Sequence, residues 1–181
     1  MAFVTGVAMG NGKGTTKVLL TNEATVFLID ISGKVFDTAS GFKSKGYDAI
    51  GYKADVTKRD EIKKIVDGIL IKNKKIDILI NNAGVIKLKS FLEMSNEIRD
   101  YHININGVWN CTKVILPNMI NQKYGKIVNM SSVTGPIVAD EGEVAYATTK
   151  AVIWGFTKAL AREVAKYHIM VTTQKVPILY Q

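Results

Sequence analysis

Ala2-Phe3-Val4-Thr5-Gly6-Val7-Ala8-Met9-Gly10-Asn11-Gly12 is the stretch on which the fold turns. A short apolar run ends in a TGxxxGxG pattern, and a helical segment follows. Glycines in such a turn let the backbone bend sharply and approach a pyrophosphate, while the helix N-terminus offers free N–H groups and the positive end of its dipole. Alone, the pattern is equally that of an ordinary strand-to-helix loop. Its surroundings give it meaning. The next β-rich run, Ala24 to Ile29, is closed by Asp30, at the distance where an acid accepts hydrogen bonds from the hydroxyls of an adenosine ribose. That acid repels a 2′-phosphate, and no Lys or Arg stands at Val7, Ala8 or Met9, so the residues favour NAD over NADP. Thr5, Gly6, Gly10, Gly12 and Asp30 are therefore the first candidate cofactor ligands. Asp55, after a weaker β-run within residues 48–54, either approaches the adenine or serves a turn or cap.

Outward from this point, β-rich runs alternate with helical segments, which predicts a parallel sheet covered by helices on both faces. Ile62, Ile65, Val66, Ile69 and Leu70 recur at helical spacing between Lys58 and Asn73, with Thr57 and Asp60 as a plausible cap. Ile76 to Ile80 reads as a buried strand running into Asn81-Asn82-Ala83-Gly84. Helices are expected over about 100–121, with Pro117 at a kink or its last turn, and over 144–167. Ile127 to Met130 is the strand between them.

Two further clusters carry chemistry. Tyr146 and Lys150 lie four apart on a predicted helix, so phenol and ammonium address the same spot. A nearby cation stabilises phenolate, which brings a tyrosine whose free pKa is about 10 closer to neutral exchange with a substrate oxygen. Ser132, at the end of the strand before this helix, can set its hydroxyl beside the phenol and stabilise charge developing on a reacting oxygen. Each has a plainer explanation, since Tyr and Lys at this spacing are common and serines at strand ends usually serve turns. Their order along one chain favours chemistry.

Taken together, Thr5-Gly6, Asn81-Asn82-Ala83-Gly84, Asn104-Ile105-Asn106-Gly107, Ser132 and Tyr146-xxx-Lys150 resemble the short-chain dehydrogenase/reductase family in order and spacing, up to about Val171. The resemblance implies an NAD(P)-dependent oxidoreductase that transfers a hydride between nicotinamide and a small-molecule alcohol or carbonyl. It implies a site in which Tyr146 is the acid/base, Lys150 holds the nicotinamide ribose and lowers the tyrosine pKa, Ser132 orients the substrate oxygen, and Asn104 helps hold a water-linked proton relay. Asn106 is the alternative for that last role. Asn82, Ala83 and Gly84 would flank the cofactor, which Tyr146 and Lys150 also contact. The two long helices would pair across a symmetry axis in a homodimer or homotetramer, burying Trp154 and Phe156.

Composition limits the other classes. The 181 residues suffice for one domain, and 47% hydrophobic with 22% charged residues is ordinary for a globular chain. No run approaches the roughly 18 consecutive apolar residues of a membrane span, and no basic-then-apolar leader opens the chain, so a cytoplasmic protein without membrane contact is expected. The net charge of +8 rests on Lys far more than on Arg59, Arg99 and Arg162, and is spread along the chain. A solvated lysine surface explains it better than nucleic-acid binding, in which Arg reads guanine by a bidentate fork. Cys111 stands alone, so neither a disulfide nor a metal site is expected.

The chain departs from the family pattern at three places. Asn11 stands for an apolar residue and Glu23 for a glycine, both expected to loosen the first helix on the sheet. After the catalytic helix, Met170-Val171-Thr172-Thr173-Gln174-Lys175-Val176-Pro177 lacks the family's Pro-Gly support for the nicotinamide. The expected architecture is thus a single Rossmann-like, three-layer doubly wound α/β domain over 1–181, with a central parallel sheet and its C-terminal strand and lid missing. That loss leaves a rival: a non-catalytic dinucleotide-binding or assembly module derived from such an enzyme.

Overall fold

The computed structural model describes residues 1–95 and 102–176. Six strands form one sheet: β1 (Ala2–Thr5), β2 (Val26–Asp30), β3 (Ala49–Lys53), β4 (Ile78–Asn81), β5 (Gly125–Ser132) and β6 (Ile169–Val176). Their order is β3-β2-β1-β4-β5-β6, and every pairing is parallel. Parallel strands need crossovers, supplied here by α1 (Gly10–Thr21), α2 (Lys34–Lys43), α3 (Arg59–Asn73), α4 (Gly107–Gln122) and α5 (Val144–Val164). The chain winds from β1 to β3 in one direction, then returns to β4 and winds in the other. Beside the C-terminal ends of β1 and β4 the strand order therefore reverses, and a crevice opens there.

Coverage on both faces explains why β1 and β2 are apolar up to their last residues rather than alternating: Ala2, Phe3, Val4, Val26, Phe27, Leu28 and Ile29 are all buried. One core layer joins Val4, Leu28 and Ile80 to Leu20 of α1 and to Val35, Ala39 and Phe42 of α2. The other joins Phe3, Phe27, Leu79 and Ile127 to Ile62, Val66 and Ile69 of α3, to Ile115 and Met119 of α4, and to Leu160 and Val164 of α5. Cys111 is fully buried in this second layer, and burial pushes its thiol up to about 12.

Several expectations change in detail. The cap of α3 is not Thr57 with Asp60: the N-cap is Lys58, with no side-chain bond, while Asp60 and Glu61 sit in the first turn, where acids suit the helix dipole. The start of the helix expected over 100–121 lies outside the described residues, and residues 102–106 form a π-helical turn before α4 begins. Trp154 and Phe156 are half-buried, and on α4 the exposed Trp109 packs on Phe156 with ring centroids 5.5 Å apart. The segment from which a C-terminal strand was expected to be missing forms β6, paired with β5 from Gly125↔Ile169 to Ser132↔Val176. Alternation of Ile169 and Val171 inward with Met170 outward makes that strand possible.

Candidate functional site

The glycine turn is held by the strand beside it. Thr5 Oγ1 accepts the N–H groups of Asn82 and Ala83, both at 3.0 Å, and Asn82 Nδ2 donates to the carbonyls of Thr5 (3.0 Å) and Gly6 (2.8 Å). So close a fit leaves no room for side chains. A Cβ on Gly6 would lie 2.7 Å from Ala83 Cα, and one on Gly12 would lie 2.0 Å from Gly6 O. Gly6 and Gly10 also take φ values of +70° and +58°, which other residues rarely adopt. Met9 caps α1 with no side-chain bond, and both Met9 and Asn11 at this helix end line the crevice. Asn11 is exposed and lines this crevice.

At one end the crevice is a 250 Å³ cavity between Asp30, Ala54, Asp55, Val56, Ala83 and Gly84. Both carboxylate oxygens of Asp30 already accept backbone amides, Oδ2 from Ala8 and Oδ1 from Ser32, each at 2.9 Å. Each oxygen keeps a further lone pair for a ligand hydroxyl. Asp55 performs turn work: its Oδ1 accepts both the N–H (2.9 Å) and the hydroxyl (2.8 Å) of Thr57.

The other end is a 320 Å³ cavity that shares Gly6, Met9, Gly84 and Val85 with the first and reaches Ser131, Tyr146 and Lys150. Ser132 ends β5, is fully buried, accepts the Thr134 N–H at 3.1 Å and hydrogen-bonds the Tyr146 hydroxyl. Lys150 Nζ lies 5.4 Å from the Tyr146 ring centroid and donates to Met130 O at 2.7 Å. Burial draws the lysine pKa down to about 8. It also raises that of Tyr146, with the Ser132 bond lowering it and the negative Glu143 raising it again. In this geometry Lys150 thus meets the ring face, and the depressed tyrosine pKa expected from the resemblance is not what the surroundings produce.

Asn104, in the π-helical turn, joins this end to the loop that follows β4. Its Oδ1 accepts the Val85 N–H (2.8 Å), and its Nδ2 donates to Val85 O (2.9 Å) and to Thr149 Oγ1 (3.1 Å). Thr149 in turn donates to Tyr146 O at 2.8 Å. A Cβ on Gly84 would stand 3.0 Å from Asn104 Oδ1, so a side chain there would crowd this amide. Asn106 is exposed, whereas Asn104 is buried.

Sequence reasoning missed three supports. Ser131 Oγ donates to Lys150 O at 3.0 Å. Asn81 Nδ2 donates to Thr112 Oγ1 (3.1 Å) and Asn129 Oδ1 (2.8 Å), and Asn129 Nδ2 to Thr157 Oγ1 (2.8 Å), a buried polar chain from α4 to α5 across two strands. Glu143, immediately before α5, is 1% exposed, and its Oε2 accepts the Asp140 N–H at 3.1 Å. The signal for Glu143 was present, an acid one turn ahead of Tyr146; the asparagine pairing needed the register Asn81↔Asn129.

A doubly wound parallel sheet with a braced glycine turn at its switch point defines a Rossmann-type nucleotide-binding fold. Within that class the chain belongs to the short-chain dehydrogenase family, whose model matches residues 1–178. It is 46% identical over 172 residues to oxidoreductase UcpA of Salmonella typhimurium, a match covering 94% of this chain and 65% of that protein's length. Against the 3-oxoacyl-[acyl-carrier-protein] reductase FabG of Thermotoga maritima it is 40% identical over 177 residues, covering 94% of this chain and 70% of the relative. Among solved structures, a gluconate 5-dehydrogenase from Burkholderia cenocepacia in complex with NADP and tartrate superposes with a TM-score of 0.93. That match is 25% identical and covers 99% of this chain and 71% of the other.

Proposed function

We propose that this chain is the dinucleotide-binding and catalytic part of an NAD(P)-dependent oxidoreductase acting on a small-molecule alcohol or carbonyl. The observation that carries this is a single crevice that runs past Gly6 of the glycine turn, with Asp30 at one end and Tyr146, hydrogen-bonded to the buried Ser132, and Lys150 at the other. The turn has the close backbone approach that a pyrophosphate needs. When bound, a nicotinamide dinucleotide supplies the hydride acceptor or donor. Tyr146 exchanges a proton with the substrate oxygen, Ser132 holds that oxygen through its hydroxyl, and Lys150 and Asn104 fix the tyrosine and its surroundings. Asp30 favours NAD, although the gluconate 5-dehydrogenase was solved with NADP. The test is to titrate NADH and NADPH by fluorescence and to assay reduction of a panel of ketones and β-ketoacyl thioesters. NADH binding with ketone turnover supports the enzyme. Binding without turnover supports the non-catalytic module.

The same family reading includes self-association, as a homodimer or homotetramer. A 460 Å³ apolar cavity lies open between α4 and α5, lined by Val108, Trp109, Val152, Phe156 and Leu160. Such a groove beside an exposed Trp109 suits a second copy of the same helix pair. Among the described residues no helix is long and apolar enough to cross a membrane.

A further inference from the structure

A single hydroxyl stands between the loop after β4 and the helix that carries Tyr146. It belongs to Thr149, which lies one turn further along α5 and is fully buried. We infer that Thr149 is a positioning residue: it joins Asn104 to α5 and so sets Tyr146 against the Val85 wall of the crevice. This rests on the oxidoreductase reading for its consequence in turnover, but not for the joint itself.

Hydrogen-bond chemistry fixes the direction of the joint. A hydroxyl has one proton to give and lone pairs to receive with. Helical threonine spends that proton on a carbonyl about one turn back, and Thr149 Oγ1 donates to Tyr146 O at 2.8 Å. Only lone pairs remain, so its next partner must be a donor. Asn104 Nδ2 supplies one at 3.1 Å. The Asn104 amide is committed in the same way, since its Oδ1 accepts the Val85 N–H at 2.8 Å and its Nδ2 also donates to Val85 O at 2.9 Å. Those two bonds decide which end of the amide is which and leave the second Nδ2 proton for Thr149. Asn104 is buried, so an N–H deprived of Thr149 has no solvent to turn to. Val85 borders both cavities of the crevice, and Tyr146 borders the larger. The chain from Val85 through Asn104 and Thr149 to the Tyr146 carbonyl therefore couples that wall to the proposed acid/base. The glycine turn is held by separate bonds, among Thr5, Gly6, Asn82 and Ala83 and from Ala8 to Asp30. Thr148 supplies a comparison: it makes the same kind of back-bond, to Val144 O at 2.7 Å, but is exposed.

Thr149→Val keeps the shape and removes the hydroxyl, whereas Thr149→Ser keeps the hydroxyl. With each variant assayed well below its melting temperature, Val is expected to lower kcat for ketone reduction about 10-fold, because a misplaced catalytic group costs rate. Its NADH affinity should change less than about twofold, since the glycine turn keeps its own anchors. A residue that served folding alone would not divide the two in this way. Thr149→Ser and the control Thr148→Val should both stay within about twofold of the parent in kcat. Without any substrate, 15N-labelled asparagine reports the Asn104 side chain by NMR, assigned through its cross-peaks to the Val85 amide. The Nδ2 protons are expected to exchange slowly with solvent in the parent and at least about 10-fold faster in Thr149→Val. Parental kcat in Thr149→Val overturns the inference, as does a Thr149→Ser variant as slow as Val, which would take the effect away from the hydroxyl. Should Val prevent folding, Nδ2 protons that exchange in the parent as fast as those of an exposed asparagine overturn it equally. A protected amide that Thr149→Val loosens, in a protein with no turnover, leaves the joint standing and sinks only the enzyme reading.

Discussion

Lys150 Nζ stands 5.4 Å from the centroid of the Tyr146 ring while donating to Met130 O at 2.7 Å. One ammonium therefore touches the face of the proposed acid/base and anchors the helix to β5, so the two residues should separate on mutation. Tyr146→Phe removes one hydroxyl and should cut turnover by about 10² to 10⁴-fold while leaving NADH affinity nearly intact. Lys150→Ala should weaken NADH binding and turnover together. Isothermal titration of NADH beside a ketone-reduction assay checks both; undiminished turnover in Tyr146→Phe would remove that residue from the chemistry.

Keeping Lys150 buried has a cost that pH exposes. Its pKa falls from 10.5 to about 8 in the folded chain. Between those values the unfolded chain holds a proton that the folded chain has released, so stability rises with pH through this window and the penalty is fully present below it. The whole shift corresponds to about 3 kcal/mol, part of which a replacement gives back by leaving Met130 O without its donor. Lys150→Met should therefore stabilise the chain at pH 7 by about 1–2 kcal/mol, with the advantage fading toward pH 10.5. Urea unfolding at pH 7 and pH 10 measures it. A Met variant less stable than the parent at pH 7 would show that the bond to Met130, rather than the buried charge, dominates.

Asp30 carries two tasks. Through Oδ2 it holds the Ala8 N–H of the glycine turn, and it borders the cavity proposed for the adenosine. The parent is expected to bind NADH more tightly than NADPH because the carboxylate repels a 2′-phosphate. Asp30→Ala should abolish that preference and also weaken NADH, since the turn loses an anchor at the same time. Competitive titration of both cofactors decides the matter; a preference unchanged in Asp30→Ala would exclude Asp30 from the ribose site.

What could be seen in the sequence divides along physical lines. Strands β1, β2 and β4 and helix α3 were legible because apolar period and glycine punctuation are local signals, and the Tyr146 and Lys150 pair because helical spacing is fixed. Glu23 illustrates a partial success: the missing glycine at the end of α1 was visible, and its consequence is a non-glycine residue held at φ +62°. Strand β6 was missed, since Thr172, Thr173 and Gln174 lack a strong pattern and gain their structure from pairing with β5. Asp30 and Asp55 show the same limit for the site. Sequence placed both at strand ends, but only the geometry showed that one pins the glycine turn and the other a Thr57 turn.

The buried asparagine pair supplies the last prediction. Asn81 sits in the strand that leads to Asn82, and Asn129 in the strand that leads to Ser132; their side chains meet at 2.8 Å across the register Asn81↔Asn129. Thr112 of α4 and Thr157 of α5 extend the chain at either side, so the two strand ends that carry the crevice are fixed to the two helices behind them. Among the described residues Asn81 Oδ1 is buried without a hydrogen-bond partner, which makes the network costly unless its remaining bonds are intact. Asn129→Ala takes away an acceptor from Asn81 and a donor from Thr157, and should destabilise the chain by about 2–3 kcal/mol. Once that bond is gone, Asn81→Ala in the same background should cost less than it does alone, because a second half-satisfied amide is removed. A double-mutant cycle in urea should give a coupling of about 0.5–3 kcal/mol. Strict additivity would mean that the two side chains do not act as one unit, and that β4 and β5 are aligned by backbone pairing alone.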